Sequence, residues 1–487
     1  MGLRQKSAEG IVWSAAQSWG ARAISFFVIL ALARLVKPEA FGLVAYATVF
    51  ISLAQIFVDQ GFSDAIVQCP NLEREHLDTA FWISLLTGIL LTGIGIGASQ
   101  VIAQLFHEPD LAPIIGFLSI SFVLSALSGV QQALLRRQLA FKVLALRSFI
   151  VTVISGLVAV GLAFLGWGVW SLVAKMLVAS FINIIALWTV TDWRPSFHIS
   201  MSHFKQLFSF GINIVASNFV DFFSLHGDDF LIGYYLGPIA LGYYTLAYNL
   251  LIVMTDFVIS VPNAVLFPAF SRLQSDIERL KQSFFEVSRL QSIISFPIFL
   301  GISVTASEIV VILYGQEWAS SIPVIQILML IGISRSITYF HSSIIRATGK
   351  PAWRLYIWTL TAVVDVIGFF IVVRRGIVAV ASVYVLISFL VLPLYFVIIR
   401  KLIKVSIVPH LLQYVPAFIS SLVMVIFVIV FKNILPESVN LYLRVVIYIF
   451  GGALFYLFTL LLIQPQLFKQ MKEFAYLLLP KYAAKKA

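Results

Sequence analysis

Apolar stretches of about 20 residues follow one another along almost the whole chain, separated by short breaks rich in charge, proline or glycine. Cutting at those breaks predicts fourteen spans: 11–35, 40–60, 79–104, 111–134, 143–165, 168–190, 207–231, 239–262, 290–314, 321–345, 354–373, 377–399, 410–431 and 442–463. A hydrocarbon core of about 30 Å takes about 20 residues of α-helix. The runs are continuous rather than alternating, and about twice the length of a membrane β-strand. Helices are therefore the expected spanning element.

Composition agrees with the pattern. The 487 residues are 60% hydrophobic and 11% charged, with a mean hydropathy of +0.99. A soluble domain carries about 25% charged residues, so too little polar side chain is present to cover a water-facing surface. The connections are too short to hold a separate soluble domain. Cys69 is the sole cysteine, which excludes an intramolecular disulfide and a cysteine-based metal site. Arg4 and Lys6 precede the first run, but that run carries Arg22 and ends at no small-residue cleavage site. It reads as a permanent first helix rather than a secretory signal.

The net charge of +11 is a matter of topology rather than of nucleic-acid binding. The N-terminus, the even-numbered loops and the C-terminus hold 24 Lys and Arg, and the opposite side holds 6. That bias predicts a membrane protein with both termini cytoplasmic. The chain also repeats. Pro38-Glu-Ala-Phe-Gly42-Leu-Val-Ala-Tyr-Ala47 recurs as Pro238-Ile-Ala-Leu-Gly242-Tyr-Tyr-Thr-Leu-Ala247, and Gly166-Trp-Gly-Val-Trp-Ser resembles Arg374-Arg-Gly-Ile-Val-Ala at a similar offset. Six spans per repeat give both halves one orientation, related by an axis along the membrane normal. The expected architecture is all-α and integral to the membrane. A six-helix lobe over 1–200 precedes a second over 201–403, spans thirteen and fourteen over 404–465, and a basic amphipathic tail over 466–487 on the inner leaflet. The polar segment 268–290 predicts a cytoplasmic helix joining spans eight and nine.

Polar groups at membrane depth are costly and face a bundle interior or a wet cavity. In span one Ser14, Ser18, Arg22 and Ser25 share one helical face. Thr48, Ser52, Gln55 and Asp59 do so in span two, and Asn213, Ser217, Asp221, Ser224 and Asp228 in span seven. With a one-residue shift, Arg22 and Asp221 occupy corresponding positions of the two halves. The stripes predict one water-filled cleft between those halves. Serines and threonines also bond helix to helix as plain structure, so Arg22 is the sharpest functional candidate. Arg335, flanked by Ser334 and Ser336, is the best of the remaining intramembrane charges; Asp228 and Asp229 read as interfacial. No G-x-x-x-x-G-K-[ST], H-E-x-x-H or G-x-S-x-G motif is present, and the seven histidines show no ligand spacing on a predicted helix, with His198 and His203 assigned to a loop. These absences predict a protein that is not an enzyme and needs no cofactor or metal.

The segments Ala8-Glu-Gly-Ile-Val-Trp13-Ser, Ala33-Arg-Leu-Val-Lys-Pro38-Glu-Ala-Phe-Gly42 and Gln60-Gly-Phe-Ser-Asp-Ala-Ile-Val-Gln68 carry a family likeness. With Gly237-Pro-Ile-Ala-Leu-Gly-Tyr-Tyr and Arg346-Ala-Thr-Gly-Lys-Pro351, they resemble polysaccharide flippases of the multidrug/oligosaccharidyl-lipid/polysaccharide exporter superfamily, of the colanic-acid and teichuronic-acid type. The resemblance implies two six-helix lobes around a cavity and alternating access of an undecaprenyl-pyrophosphate-linked oligosaccharide from cytoplasmic to outer leaflet. It implies a bacterial plasma (inner) membrane and cationic cavity residues on the pyrophosphate; Arg22 fits that description, and Arg335 is the second candidate for the same contact. Ser18, Gln55, Asn213, Asn218, Tyr248 and Asn249 would then meet the sugar, and Asp59, Asp221 or Asp256 would couple an ion. Membrane lipids, a polysaccharide polymerase and export machinery are the implied partners. The paucity of intramembrane cations argues against a peptidoglycan precursor as cargo. Two alternatives stay open: a cation-coupled multidrug exporter of the same fold, which calls for a carboxylate-dominated cavity, and a membrane-embedded sugar polymerase or transferase, which calls for a large external catalytic loop.

Overall fold

A computed structural model describes residues 20–260, 270, 273–274, 276–436 and 438–465. These residues are helical almost throughout, with no strand among them. Span one is described from residue 20 and runs as helix over 20–35; Ser14 and Ser18 lie outside the described residues, as does the tail from 466. Spans two to six are the helices Pro38–Asp59, Arg74–Leu105, Leu111–Arg137, Phe141–Phe164 and Val169–Val190. Spans nine to fourteen are Ile277–Val304, Ile322–Ala347, Pro351–Val372, Ile377–Ile403, Val415–Ile434 and Leu441–Ile463. Twelve helices among the described residues are long and apolar enough to cross a bilayer. The protein is a multi-pass membrane protein.

Spans seven and eight lie within Met201–Thr255 as two helices that meet at a kink, with no loop between them. Only Gly237 leaves the helical region, at φ 82 and ψ 177, a backbone that glycine adopts at no steric cost. Pro238 follows at the first position of the second helix, where a missing N–H is tolerated. The repeat found in the sequence is also a contact in space. A Cβ on Gly42 would run into the carbonyl oxygen of Pro238, and one on Gly242 into the carbonyl oxygen of Pro38. The two copies of the motif therefore cross backbone to backbone, as small residues permit in membrane helix pairs.

Polar segment 277–290 forms the first turns of span nine rather than a separate cytoplasmic helix. Asp276 caps it by accepting from the Arg279 backbone N–H at 3.1 Å.

Packing divides the chain into two compact units. One takes the described part of Met1–Leu246 together with Thr359–Val383; the other takes Ala247–Trp358 with the described part of Tyr384–Ala487. In the first unit Phe62, Ile66, Leu77, Phe81, Val130 and Leu207 pack into one core. In the second, Phe284, Phe340, Ile344, Tyr395, Ile399 and Ile403 do the same. Large apolar side chains such as Phe450, Phe458 and Leu462 of span fourteen face outward, as a helix does when its solvent is hydrocarbon.

Candidate functional site

Span ten brings Arg335 to the inside of the second unit, where span eight contributes Tyr248 and span twelve contributes Tyr384. Arg335 Nη2 donates to the Tyr384 hydroxyl at 3.0 Å and to the Tyr248 hydroxyl at 3.4 Å. The guanidinium carbon lies 5.9 Å from the centre of the Tyr248 ring. The two phenol rings stand 6.4 Å apart and 26° from parallel, forming a stacked pair beside the cation. Among the described residues no carboxylate forms an ion pair with Arg335. Nε and Nη1 donate to no protein group among those residues.

A cation at membrane depth costs about 3 kcal/mol or more on insertion scales. Phenol oxygens and a ring face offset part of that cost but carry no net charge. The arrangement thus keeps an uncompensated positive charge with donors to spare, which is the electrostatic description of an anion site.

The other candidates divide by unit. In the first unit Gln55 and Asp59 line one small recess of about 30 Å³ with Ser63, Ser84, Ser125 and Gly129. Asp59 accepts from the Ser63 backbone N–H at 3.3 Å and from its hydroxyl. It thereby caps the short helix Phe62–Gln68 that follows a tight turn through Gln60 and Gly61. Arg22 is half-buried on span one. On span seven Asn213, Ser217 and Asn218 are exposed, and Asp221 is half-buried. Exposed amides on a membrane helix call for water rather than lipid. In the second unit Tyr248 and Asn249 are adjacent and half-buried, and Asp256 opens one π-helical turn, Asp256–Ser260, at the end of span eight. Tyr248 is thus placed on Arg335. Tyr384, absent from the sequence candidates, is its nearer partner.

Two further polar groupings were invisible in the sequence. Asp228 is buried within the protein: it is 5% exposed and accepts from the Tyr244 hydroxyl at 2.7 Å. His203 is not in a loop: it lies in the first turn of span seven, and its ring centre is 4.3 Å from that of His76. Residues so far apart in the chain meet only by packing, so no local spacing announces them. Glu73, His76 and His203 form the donor set nearest to a metal site among the described residues, with ligand atoms within 4.8 Å of one another. Their hydrogen bonds describe a clamp instead. The Glu73 backbone N–H donates to His76 Nδ1 at 3.2 Å, which leaves the proton on Nε2, facing Gln206 Oε1 at 3.0 Å. His203 Nε2 faces the Glu73 carboxylate at 3.2 Å. Two helix N-termini point their positive ends at the cluster, which disfavours a divalent cation there. With Asp78 holding the Ser196 backbone N–H at 3.1 Å, these groups fasten the start of span three to the segment leading into span seven.

Known proteins resemble both the sequence and the fold. The chain is 29% identical over 359 residues to "Lipopolysaccharide biosynthesis protein WzxC" of Escherichia coli (strain K12), covering 72% of each chain. It is 26% identical over 420 residues to "Teichuronic acid biosynthesis protein TuaB" of Bacillus subtilis (strain 168), covering 85% of this chain and 86% of that one. Among solved structures it is similar to "Lipid II flippase MurJ, inward closed conformation", with a TM-score of 0.77 at 15% identity over 94% of this chain and 100% of that chain. That likeness assigns the fold. Residues 31–323, more than half of the chain, match the family described as "Polysaccharide biosynthesis protein", and the chain belongs to that family.

Proposed function

We propose that this protein is a flippase that moves an undecaprenyl-pyrophosphate-linked oligosaccharide from the cytoplasmic to the outer leaflet by alternating access, for exopolysaccharide or lipopolysaccharide biosynthesis. The observation that carries this reading is Arg335, a cation in a membrane span that has two phenols and, among the described residues, no carboxylate in contact with it. An anion compensates such a charge, whereas a cationic drug is repelled by it. The names of the two relatives, in lipopolysaccharide and teichuronic acid biosynthesis, support a saccharide cargo.

In this scheme the pyrophosphate meets Arg335, and Arg22 serves as a further phosphate contact. Gln55, Asn213, Asn218, Asn249 and Ser18 offer hydrogen bonds to sugar hydroxyls, and the polyprenyl tail stays in hydrocarbon. Asp221 or Asp256 couples the cycle to an ion; Asp59, engaged as a helix cap, is the weakest of the three for that role. The charge bias of 24 to 6 supports cytoplasmic termini in an inner membrane. A polysaccharide polymerase is the expected next consumer of the cargo.

The test is movement of a fluorescent polyprenyl-pyrophosphoryl oligosaccharide across proteoliposomes. Arg335→Ala is expected to slow it at least about tenfold, the loss of one charge-assisted phosphate contact. Transport at the wild-type rate by that variant would overturn the reading.

A further inference from the structure

We infer that Tyr384, supported by Tyr248, is a positioning residue that sets which edge of the Arg335 guanidinium meets the cargo and thereby favours a diphosphate over a monophosphate. The inference rests on the anion-site reading above and goes beyond it.

A guanidinium carries five N–H donors in one rigid plane. Here both phenol oxygens draw on the same nitrogen, Nη2, at 3.0 and 3.4 Å. Two hydrogen bonds to one terminal nitrogen fix the rotation of the fork as well as its location. The Tyr248 ring, 5.9 Å from the guanidinium carbon, limits the remaining swing. Among the described residues, what stays available is Nε on one edge and Nη1 on the other, with Nη2 held between them. An anion that satisfies the fixed plane must place acceptors along both edges. A diphosphate carries oxygens on two linked phosphorus atoms and can reach both; a monophosphate reaches one edge well and the other poorly. An untethered arginine would turn to suit either ligand and lose the distinction. The shorter hydrogen bond belongs to Tyr384, so the larger share of the positioning falls on it.

The experiment uses the full chain in lipid nanodiscs, with farnesyl diphosphate and farnesyl monophosphate as probes, titrated by calorimetry. The wild type is expected to prefer the diphosphate about tenfold, near the value of one well-made charge-assisted hydrogen bond. Tyr384→Phe keeps the stacked ring and removes the acceptor. It is expected to weaken diphosphate binding about fivefold and leave monophosphate binding within about twofold, so that the preference collapses. Tyr248→Phe is expected to do the same to a smaller extent. Tyr384→Gln, which restores an acceptor oxygen, is expected to recover part of the preference, and it serves as the test if the phenylalanine variant folds poorly. Arg335→Ala is expected to bind neither probe. If Tyr384→Phe keeps the wild-type preference while Arg335→Ala loses both probes, the positioning role is wrong and the anion site stands. If Arg335→Ala binds both probes like the wild type, the anion site itself is wrong. An unchanged preference with only a lower unfolding temperature in Tyr384→Phe would reduce Tyr384 to a packing residue.

Discussion

Two cations of the second unit, Arg335 and Lys432, lie at similar remove from solvent and meet opposite surroundings. Lys432 on span thirteen donates to Glu308 at 2.7 Å and to Ser307 at 3.0 Å, with side chains 22% and 11% exposed for the lysine and the glutamate. Its charge is matched by a carboxylate and one hydroxyl. Arg335 has two phenols and a ring face, and among the described residues no opposite charge. The contrast separates a cation that fastens two segments together from one that has no carboxylate partner among the described residues. A neutralised pair gains from its partner and loses when either member is removed. An uncompensated charge is a standing cost, accepted where an anion must be attracted.

The comparison breaks most readily on stability. Removing Glu308 by Glu308→Ala leaves Lys432 without its carboxylate and is expected to cost about 2–3 kcal/mol, somewhat below the range for fully buried pairs because the site is partly hydrated. Arg335→Ala is expected to change stability by less than about 1 kcal/mol, since it removes a cost along with two hydrogen bonds. Thermal unfolding of both variants in detergent measures this, and an equal loss in the two would erase the distinction.

A third polar group sharpens it from the neutral side. His410, in the short helix Ile407–Leu411 ahead of span thirteen, is 1% exposed, and burial pushes its pKa from 6.5 down to about 4. It faces Tyr414 at 3.1 Å and the ring of His341 at 5.0 Å, with Phe284 and Phe396 around it, and no carboxylate among the described residues pairs with it. A histidine depressed on folding binds fewer protons in the folded state than in the unfolded one. Its contribution is intact above pH 6.5, declines as the pH falls, and is fully lost near pH 4. At pH 5 the loss is expected to be about 2 kcal/mol. His410→Phe is expected to flatten that part of the pH–stability curve; an unchanged slope would assign the dependence to other groups.

Smaller effects probe the remaining edges. Arg335→Lys keeps the charge but not the planar fork, and is expected to reduce diphosphate affinity about fivefold rather than abolish it. If lysine serves as well as arginine, the site holds a charge and no geometry. Asp59→Ala removes the cap on Phe62–Gln68 and is expected to cost about 1 kcal/mol, read from the unfolding midpoint. A neutral result would release Asp59 from its structural role.

Much of the fold was legible in advance for a simple reason. Bilayer thickness sets the length of every helix, and the absence of water in the core forces each backbone group to be satisfied within it. Hydropathy alone therefore located most of the spans, and missed most at span nine, read as 290–314 and observed as Ile277–Val304. At spans seven and eight it cut the chain where Gly237 and Pro238 make the break, although that break is one non-helical residue rather than a loop. Offset of 200 between Pro38 and Pro238 was also legible, but that the two motifs pack on each other through Gly42 and Gly242 was not.

Candidate polar residues were found by the 3.6-residue period, which reports one helix at a time. That period marked Gln55 and Asp59, and the shared recess they line is local to one helix and its neighbours. Arg335 stood out because a charge in an apolar run is rare. Its partners did not: Tyr248 and Tyr384 are 87 and 49 residues away along the chain and sit among many other aromatic residues. The same holds for His203 beside His76 and for Asp228 beneath Tyr244. By itself the sequence determined that the chain spans a membrane in a row of helices, how long each is, and which faces are polar, since those follow from hydrophobicity and the helical repeat. Only the tertiary structure decided which polar face meets which, and so which charge is neutralised and which is kept, because contacts between helices depend on packing that no stretch of one helix encodes.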